Sequence, residues 1–258
     1  MNSITSIRRY TFDTILISLC LAAASGAYAQ VGSINSAIII PRVFNDVPGA
    51  IGNYVNSYPG SITLGESGMS QSTGYANRDV WRFSNNGGVS AYQFANNDYF
   101  TASMTVTLTG NDPSIDNEAG FLLSSTSVGD IQQVVNFPGA FVGQFGGISY
   151  WNSGIPYALG NTVTFGMSYF FDTVNNVNAL QFSANGVFSP VFDFGAGAGI
   201  GAGSTLGGYY QIQNDPANQA NAGQAVFGNI RITSVPEPAV FALLGLGVLP
   251  LLLRRRRN

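Results

Sequence analysis

From Tyr99 to Thr109 every second residue is apolar: Phe100, Ala102, Met104, Val106 and Leu108 alternate with Thr101, Ser103, Thr105, Thr107 and Thr109. Only an extended chain sends alternate residues to opposite faces, so this segment predicts a half-buried strand of an antiparallel sheet. The pattern returns at Thr162 to Tyr169, where Val163, Phe165, Met167 and Tyr169 share a face. Shorter strands are expected at 79–83, 120–124, 131–137, 178–184, 187–194, 208–213 and 225–233, with Asn185-Gly186 as a type I′ hairpin turn. No helical period is sustained between residues 30 and 234. The expected fold is all-β: two antiparallel sheets packed face to face as a jelly-roll-like β-sandwich. A parallel β-helix would need a repeat of regular length, and the sequence has none.

The two ends follow other rules. Arg8 and Arg9 precede an apolar run from Ile15 to Ala24, and Ala27-Tyr28-Ala29 has the small-x-small pattern read by signal peptidase. Residues 1–29 are therefore expected to be a secretory signal with a helical core, too short for the roughly 20 residues of a membrane span. Cys20, the single cysteine, would leave with it, so the sandwich at 30–234 must hold without disulfides. At the other end, Val235-Pro236-Glu237-Pro238 leads into an apolar run from Ala239 to Leu253, and Arg254, Arg255, Arg256 and Arg257 follow. About fifteen residues at ~1.5 Å each make a short apolar helix, with the arginines held on the cytoplasmic side.

Composition removes several chemistries. The chain has no His and no Lys, and all ten of its cations are Arg. That excludes Ser/His and Cys/His nucleophilic sites, lysine Schiff bases and histidine metal ligands. Acid/base work is left to carboxylate and tyrosine. Within 30–234 the cations are Arg42, Arg78, Arg82 and Arg231 against eleven carboxylates, and four minus eleven is −7. A basic face for nucleic acid or anionic lipid is thus not expected. Lys and other charges that guard sheet edges are scarce, so edge-to-edge assembly is expected.

The order Pro236-Glu237-Pro238, apolar run and arginine cluster closely resembles the PEP-CTERM sorting tail of bacterial exported proteins, over residues 235–258. The resemblance implies export in a Gram-negative, polysaccharide- or biofilm-forming cell. It also implies transient anchoring in the inner membrane, and processing near Pro236-Glu237-Pro238 by an exosortase-type protease. The destination would be the cell surface or extracellular matrix. A second resemblance rests on Trp81-Arg82-Phe83-Ser84, the strand ending at Thr109, Ala119 to Leu123, Ala179 to Gly186 and Gly207 to Ile212. Together these look like a concanavalin A-like lectin or glucanase sandwich over residues 80–233. Such a fold hosts lectins, enzymes and structural modules and does not decide among them.

Candidate sites are few. A glycosidase needs two carboxylates about 5 to 9 Å apart. The two glutamates of the mature region, Glu66 and Glu118, fall in segments that read as loops, and Asp193 stands alone in a strand. With His and Lys missing as well, the expectation is a protein without catalytic activity that associates with extracellular polysaccharide. The alternative is a lectin-like module. Asn111 to Glu118 offers Asp112, Asp116 and Glu118 as oxygen ligands for calcium, or is simply a solvated hairpin loop. No other cofactor is expected. Tyr150, Trp151 and Asn152 either stack on and bond a sugar or pack at a sheet edge. Gly195 to Gly203 matches a dinucleotide fingerprint only superficially, because no helix follows it.

Overall fold

The structure is a computed structural model that describes residues 31–111, 116–148, 150–218 and 221–235. The expected signal at 1–29, the sorting residues Pro236, Glu237, Pro238 and Arg254 to Arg257, and Asp112 lie outside the described residues.

After a 3₁₀ turn at Val31–Ser33, the described chain forms β1 (Ser36–Asn45), β2 (Ile51–Ser57), β3 (Ser61–Ser67), β4 (Ala76–Ser84) and β5 (Phe100–Gly110). Next come β6 (Asn117–Ser125), β7 (Gly129–Phe137), β8 (Phe141–Phe145), β9 (Trp151–Asn152) and β10 (Thr162–Asp172). The last are β11 (Val177–Ala184), β12 (Val187–Phe188), β13 (Phe192–Asp193), β14 (Thr205–Gln213) and β15 (Ala222–Ser234). One sheet has seven strands in the order β1-β4-β14-β6-β7-β8-β9. The other has eight, running β12-β11-β10-β5-β15-β3-β2 with β13 also on β11. Every ladder is antiparallel. Neighbours such as β4 with β14 and β5 with β15 are far apart in sequence, the interleaving of a jelly-roll sandwich. The expected fold class is the one observed.

The alternation of β5 and β10 does what it predicts. Phe100, Ala102, Met104, Val106 and Leu108 are buried between the sheets with Val163, Phe165, Met167 and Tyr169. From the opposite sheet Trp81 meets Phe83 edge-on at 5.1 Å and reaches across to Phe227 of β15 at 5.9 Å. Each such side chain taken out of water contributes about 1.5–3 kcal/mol. Asn185 and Gly186 both have positive φ, 46° and 82°, as a type I′ turn requires.

Two expectations need correction. The strand expected at 187–194 is broken at Ser189-Pro190-Val191 into β12 and β13. Pro190 has no N–H to give, and the Ser189 hydroxyl instead accepts the Phe182 N–H at 2.9 Å. Glu66 and Glu118 were expected in loops, and both lie in strands, β3 and β6.

Candidate functional site

The register of the seven-stranded sheet brings its outward-pointing side chains into three transverse rows. The first runs Phe44, Arg78, Gln211, Glu118, Asn136 and Phe141. The second runs Ile40, Val80, Tyr209, Gly120, Val134 and Gly143, and the third Ile38, Arg82, Gly207, Leu122, Gln132 and Phe145. The middle row is apolar: Val80, Tyr209 and Val134, with Leu122 of the third row, form a buried cluster distinct from the main core.

The first row is polar and linked. Arg78 donates through Nε to Gln211 Oε1 at 2.7 Å, its Nη2 lies 3.7 Å from Glu118 Oε1, and its guanidinium sits 5.3 Å above the Tyr209 ring. Burial holds the Glu118 carboxyl above the usual carboxylate range, against the pull of Arg78 and of a bond from Asn136. Burial likewise drives the Tyr209 hydroxyl well above its ordinary value, with the Glu118 charge adding to it, so the group stays protonated. That hydroxyl is buried without a hydrogen-bond partner. In the third row, Gly207 has no side chain to obstruct Arg82, which donates to the Leu122 carbonyl and the Ser124 hydroxyl, both at 2.7 Å. Burial lowers the Arg82 pKa to about 10. Two of the four cations of residues 30–234 therefore stand on this face. Arg78 and Glu118 keep 22% and 13% of their side chains exposed and form its entrance.

A second polar group lies between the sheets. Arg42 sits at a register shift of β1 with φ of 53°, and the irregularity turns its guanidinium inward. Its Nε and Nη2 each donate to Glu66 at 2.9 Å, and its backbone N–H donates to Asp79 Oδ1 at 2.8 Å. The Tyr54 hydroxyl is 3.0 Å from Glu66 Oε1 and 2.9 Å from Asp79 Oδ1. One hydroxyl proton cannot serve two carboxylates. Burial, with Glu66 nearby and despite the Arg42 N–H, pushes the Asp79 pKa up to about 6. A protonated Asp79 donates to Tyr54, which then donates to Glu66, and each donor finds one acceptor.

An open depression of about 380 Å³ marks the outer side of the eight-stranded sheet, lined by Asn53, Ser67, Thr109, Asn111 and Gln224 around Gly65. Among the described residues that line it, the one ionisable group, Glu66, is bound to Arg42.

The residues singled out from sequence are dispersed. Trp151 is 8% exposed and belongs to the main core, while Tyr150 is exposed and stacks on Phe141 at 5.6 Å. Asn152 accepts the Gly154 N–H at 2.8 Å and faces solvent. Of the calcium candidates, Asp116 is exposed just before β6 and Glu118 points toward Arg78. Among the described residues no group of three or more His, Cys, Asp or Glu side chains could hold a metal. Arg78, Arg82, Tyr209, Gln211 and Gln132 are not among the site residues the sequence offers, although Arg82, Tyr209 and Gln211 fall in the stretches that resemble a concanavalin A-like sandwich. The signal was present as polar residues on one face of a strand, Arg78 and Arg82 four positions apart and Tyr209-x-Gln211, but without a register it reads as an ordinary exposed face.

No family model and no curated protein matches the chain. Solved structures do. An alginate lyase of polysaccharide lyase family 7 matches 71% of this chain and 82% of its own at 13% identity, with a TM-score of 0.46. The family 7 alginate lyase AlyA1 of Zobellia galactanivorans matches 82% of this chain and 99% of its own at 12% identity and 0.44. A family 66 carbohydrate-binding module of Bacillus subtilis matches 78% and 98% at 10% identity and 0.44. The likeness is one of fold. The expectation of a protein without catalytic activity is withdrawn, since the matched structures include alginate lyases and a fold of this kind does not decide between binding and catalysis. Missing His and Lys do not close that route, because tyrosine and carboxylate remain available for proton transfer and arginine for binding an anionic group.

Proposed function

We propose that the protein is exported, retained by a PEP-CTERM-type tail until an exosortase-type protease acts near Pro236-Glu237-Pro238, and then acts on acidic polysaccharide outside the cell. Its site is the outward face of the seven-stranded sheet around Arg78, Glu118, Tyr209 and Gln211. The observation that carries the reading is the convergence of a partly exposed arginine, a carboxylate raised by burial and a partnerless tyrosine hydroxyl. A sugar carboxylate competes with Glu118 for Arg78, whose hold is loose at 3.7 Å, and draws the guanidinium off the Tyr209 ring. Glu118, freed and basic, accepts the proton next to the neutralised sugar carboxylate, and the Tyr209 O–H donates to the departing glycosidic oxygen. Burial makes the Glu118 carboxylate a stronger base and keeps the Tyr209 proton in place for the leaving oxygen.

The test is incubation of the protein with a polyuronate such as alginate and with a neutral glucan, followed by chain length and ultraviolet absorbance of any unsaturated product. Shortening of the polyuronate alone, lost in Tyr209→Phe and Arg78→Ala, is expected. Equal action on both polymers, or none on either, would sink the reading. For the tail, replacing Pro236-Glu237-Pro238 by alanines should leave the uncut chain in the membrane fraction.

A further inference from the structure

Among the described residues four large aromatic rings are left exposed, those of Phe44, Tyr75, Tyr150 and Phe188. Two of the four mark the two ends of the polar row that holds Arg78 and Glu118. Phe44 is the first member of that row, and Tyr150 stacks on the last, Phe141, with ring centroids 5.6 Å apart and planes 23° from parallel. A glycine makes room for the stack. A Cβ at Gly143 would stand 2.5 Å from Phe141 Cζ, so the Phe141 ring lies along β8 over a residue without a side chain. Tyr150 covers one side of that ring and is itself 65% exposed.

Alternation then adds an amide. Trp151 turns into the core, and Asn152, opposite Gly143 on β8, points outward and is exposed. Its Oδ1 accepts the Gly154 N–H at 2.8 Å, which leaves its NH₂ group for another partner. A bare aromatic plane with an amide donor on the same face suits a pyranose: the C–H faces of a sugar ring are apolar and lie on an aromatic plane, while its hydroxyls bond amides at the rim. A tyrosine already stacked has little freedom left to lose on binding, so the contact is pre-organised. Register sets which sugar it meets. Phe141 is two strands beyond Glu118, through Asn136. At strand spacing that is about 10 Å, the length of roughly two sugar units.

We propose that Tyr150, with Asn152, holds the sugar about two units along the chain from the one gripped between Arg78 and Glu118. The inference rests on the reading of that row as a polyuronate site. It adds a requirement for chain length that Arg78 and Glu118 do not impose.

The experiment measures, by calorimetry, the binding of a uronate dimer and a uronate pentamer to the full chain in mild detergent. The chain carries Tyr209→Phe so that the ligand stays whole, and is compared with and without Tyr150→Ala. Tyr150→Phe, which keeps the ring, is the control, and unfolding midpoints check that each variant folds. The pentamer should bind more tightly than the dimer. Tyr150→Ala should weaken the pentamer roughly tenfold and leave the dimer unchanged, and Tyr150→Phe should change neither. A pentamer that binds as tightly without the ring, or a loss that falls equally on the dimer, overturns the inference. Binding of neither ligand overturns it together with the polyuronate reading. The two otherwise fail separately: the expected binding in a chain that never shortens polyuronate keeps the platform and removes the chemistry, whereas shortening with binding indifferent to Tyr150 does the reverse.

Discussion

Two groups in this sandwich use the same three residue types to opposite ends. Arg42, Glu66 and Tyr54 lie between the sheets, where the arginine grips the glutamate with two bonds of 2.9 Å and the tyrosine hydroxyl is bonded on both sides. Arg78, Glu118 and Tyr209 lie on the outward face, where arginine and glutamate are 3.7 Å apart and the tyrosine hydroxyl has no partner. The arginine, glutamate and tyrosine of the first set are all bonded and have nothing left to offer a ligand, and the one unmade bond beside them is at the buried Asp79 Oδ2. The second is held together loosely enough to rearrange, and chemistry needs groups that are positioned but not already satisfied. Residue type alone does not separate the two; the number of bonds left unmade does.

Removing the arginines should give the largest contrast. Arg42→Ala leaves the Glu66 side chain, 0% exposed, as a buried charge without its counter-ion. Breaking a buried pair in this way costs about 3 kcal/mol or more. Arg78→Ala removes a partly exposed partner at 3.7 Å and should cost at most about 1 kcal/mol. Urea unfolding at pH 7 measures both. Equal losses would erase the distinction between a locked and an open group.

Acid should separate the groups next. Asp79, joined to the locked group through Tyr54 and Arg42, has a folded pKa of about 6 against an ordinary value of 3.8. Its pKa is raised, so between about pH 4 and 6 the folded chain keeps a proton that the unfolded chain has lost. The contribution of Asp79 to stability is thus greatest below pH 4 and is lost as pH rises through 6. Two units correspond to about 3 kcal/mol at most. In Asp79→Asn, the amide oxygen takes the place of Oδ1, still accepts the Arg42 N–H and meets the Tyr54 hydroxyl, and no charge is buried. The variant should therefore match the parent near pH 4 and exceed it by about 2 kcal/mol at pH 7. Glu118 is also raised by burial and tilts both proteins alike, so the difference between their urea midpoints is the quantity to follow. A difference that does not change with pH would place the proton elsewhere.

The fold was legible because alternation is a local property: β5 and β10 declare their two faces residue by residue, and the Asn185-Gly186 turn declares its φ angles. β1, β2 and β3 were not legible, since Ile51 to Ser67 interleaves Gly, Asn and Ser with apolar residues and shows no clean period. Both polar groups were hidden for another reason. Arg42, Tyr54, Glu66 and Asp79 come from four strands of two sheets, and the row from Arg78 to Asn136 crosses four strands of one. Such neighbours are created by register, and nothing within a single segment announces them. Trp151 is the converse case, a residue whose type fits either a ligand contact or a packed ring and whose position in β9 gives its ring to the core.

The smallest effect is the most discriminating, because it should differ in sign. Tyr54→Phe takes one hydrogen bond from Glu66 Oε1 and one from Asp79 Oδ1, which keep only their bonds from Arg42, and should cost about 1–2 kcal/mol. Tyr209→Phe removes a buried hydroxyl that bonds to nothing, and so removes only its desolvation cost. The ring stays under the Arg78 guanidinium, so packing is unchanged. That variant should be as stable as the parent or up to about 1 kcal/mol more stable, while losing any action on polyuronate. A group that is a burden to the fold and a requirement for activity is what a functional tyrosine predicts. If Tyr209→Phe instead destabilises the protein as much as Tyr54→Phe does, the hydroxyl is already engaged and the outward face is another lock.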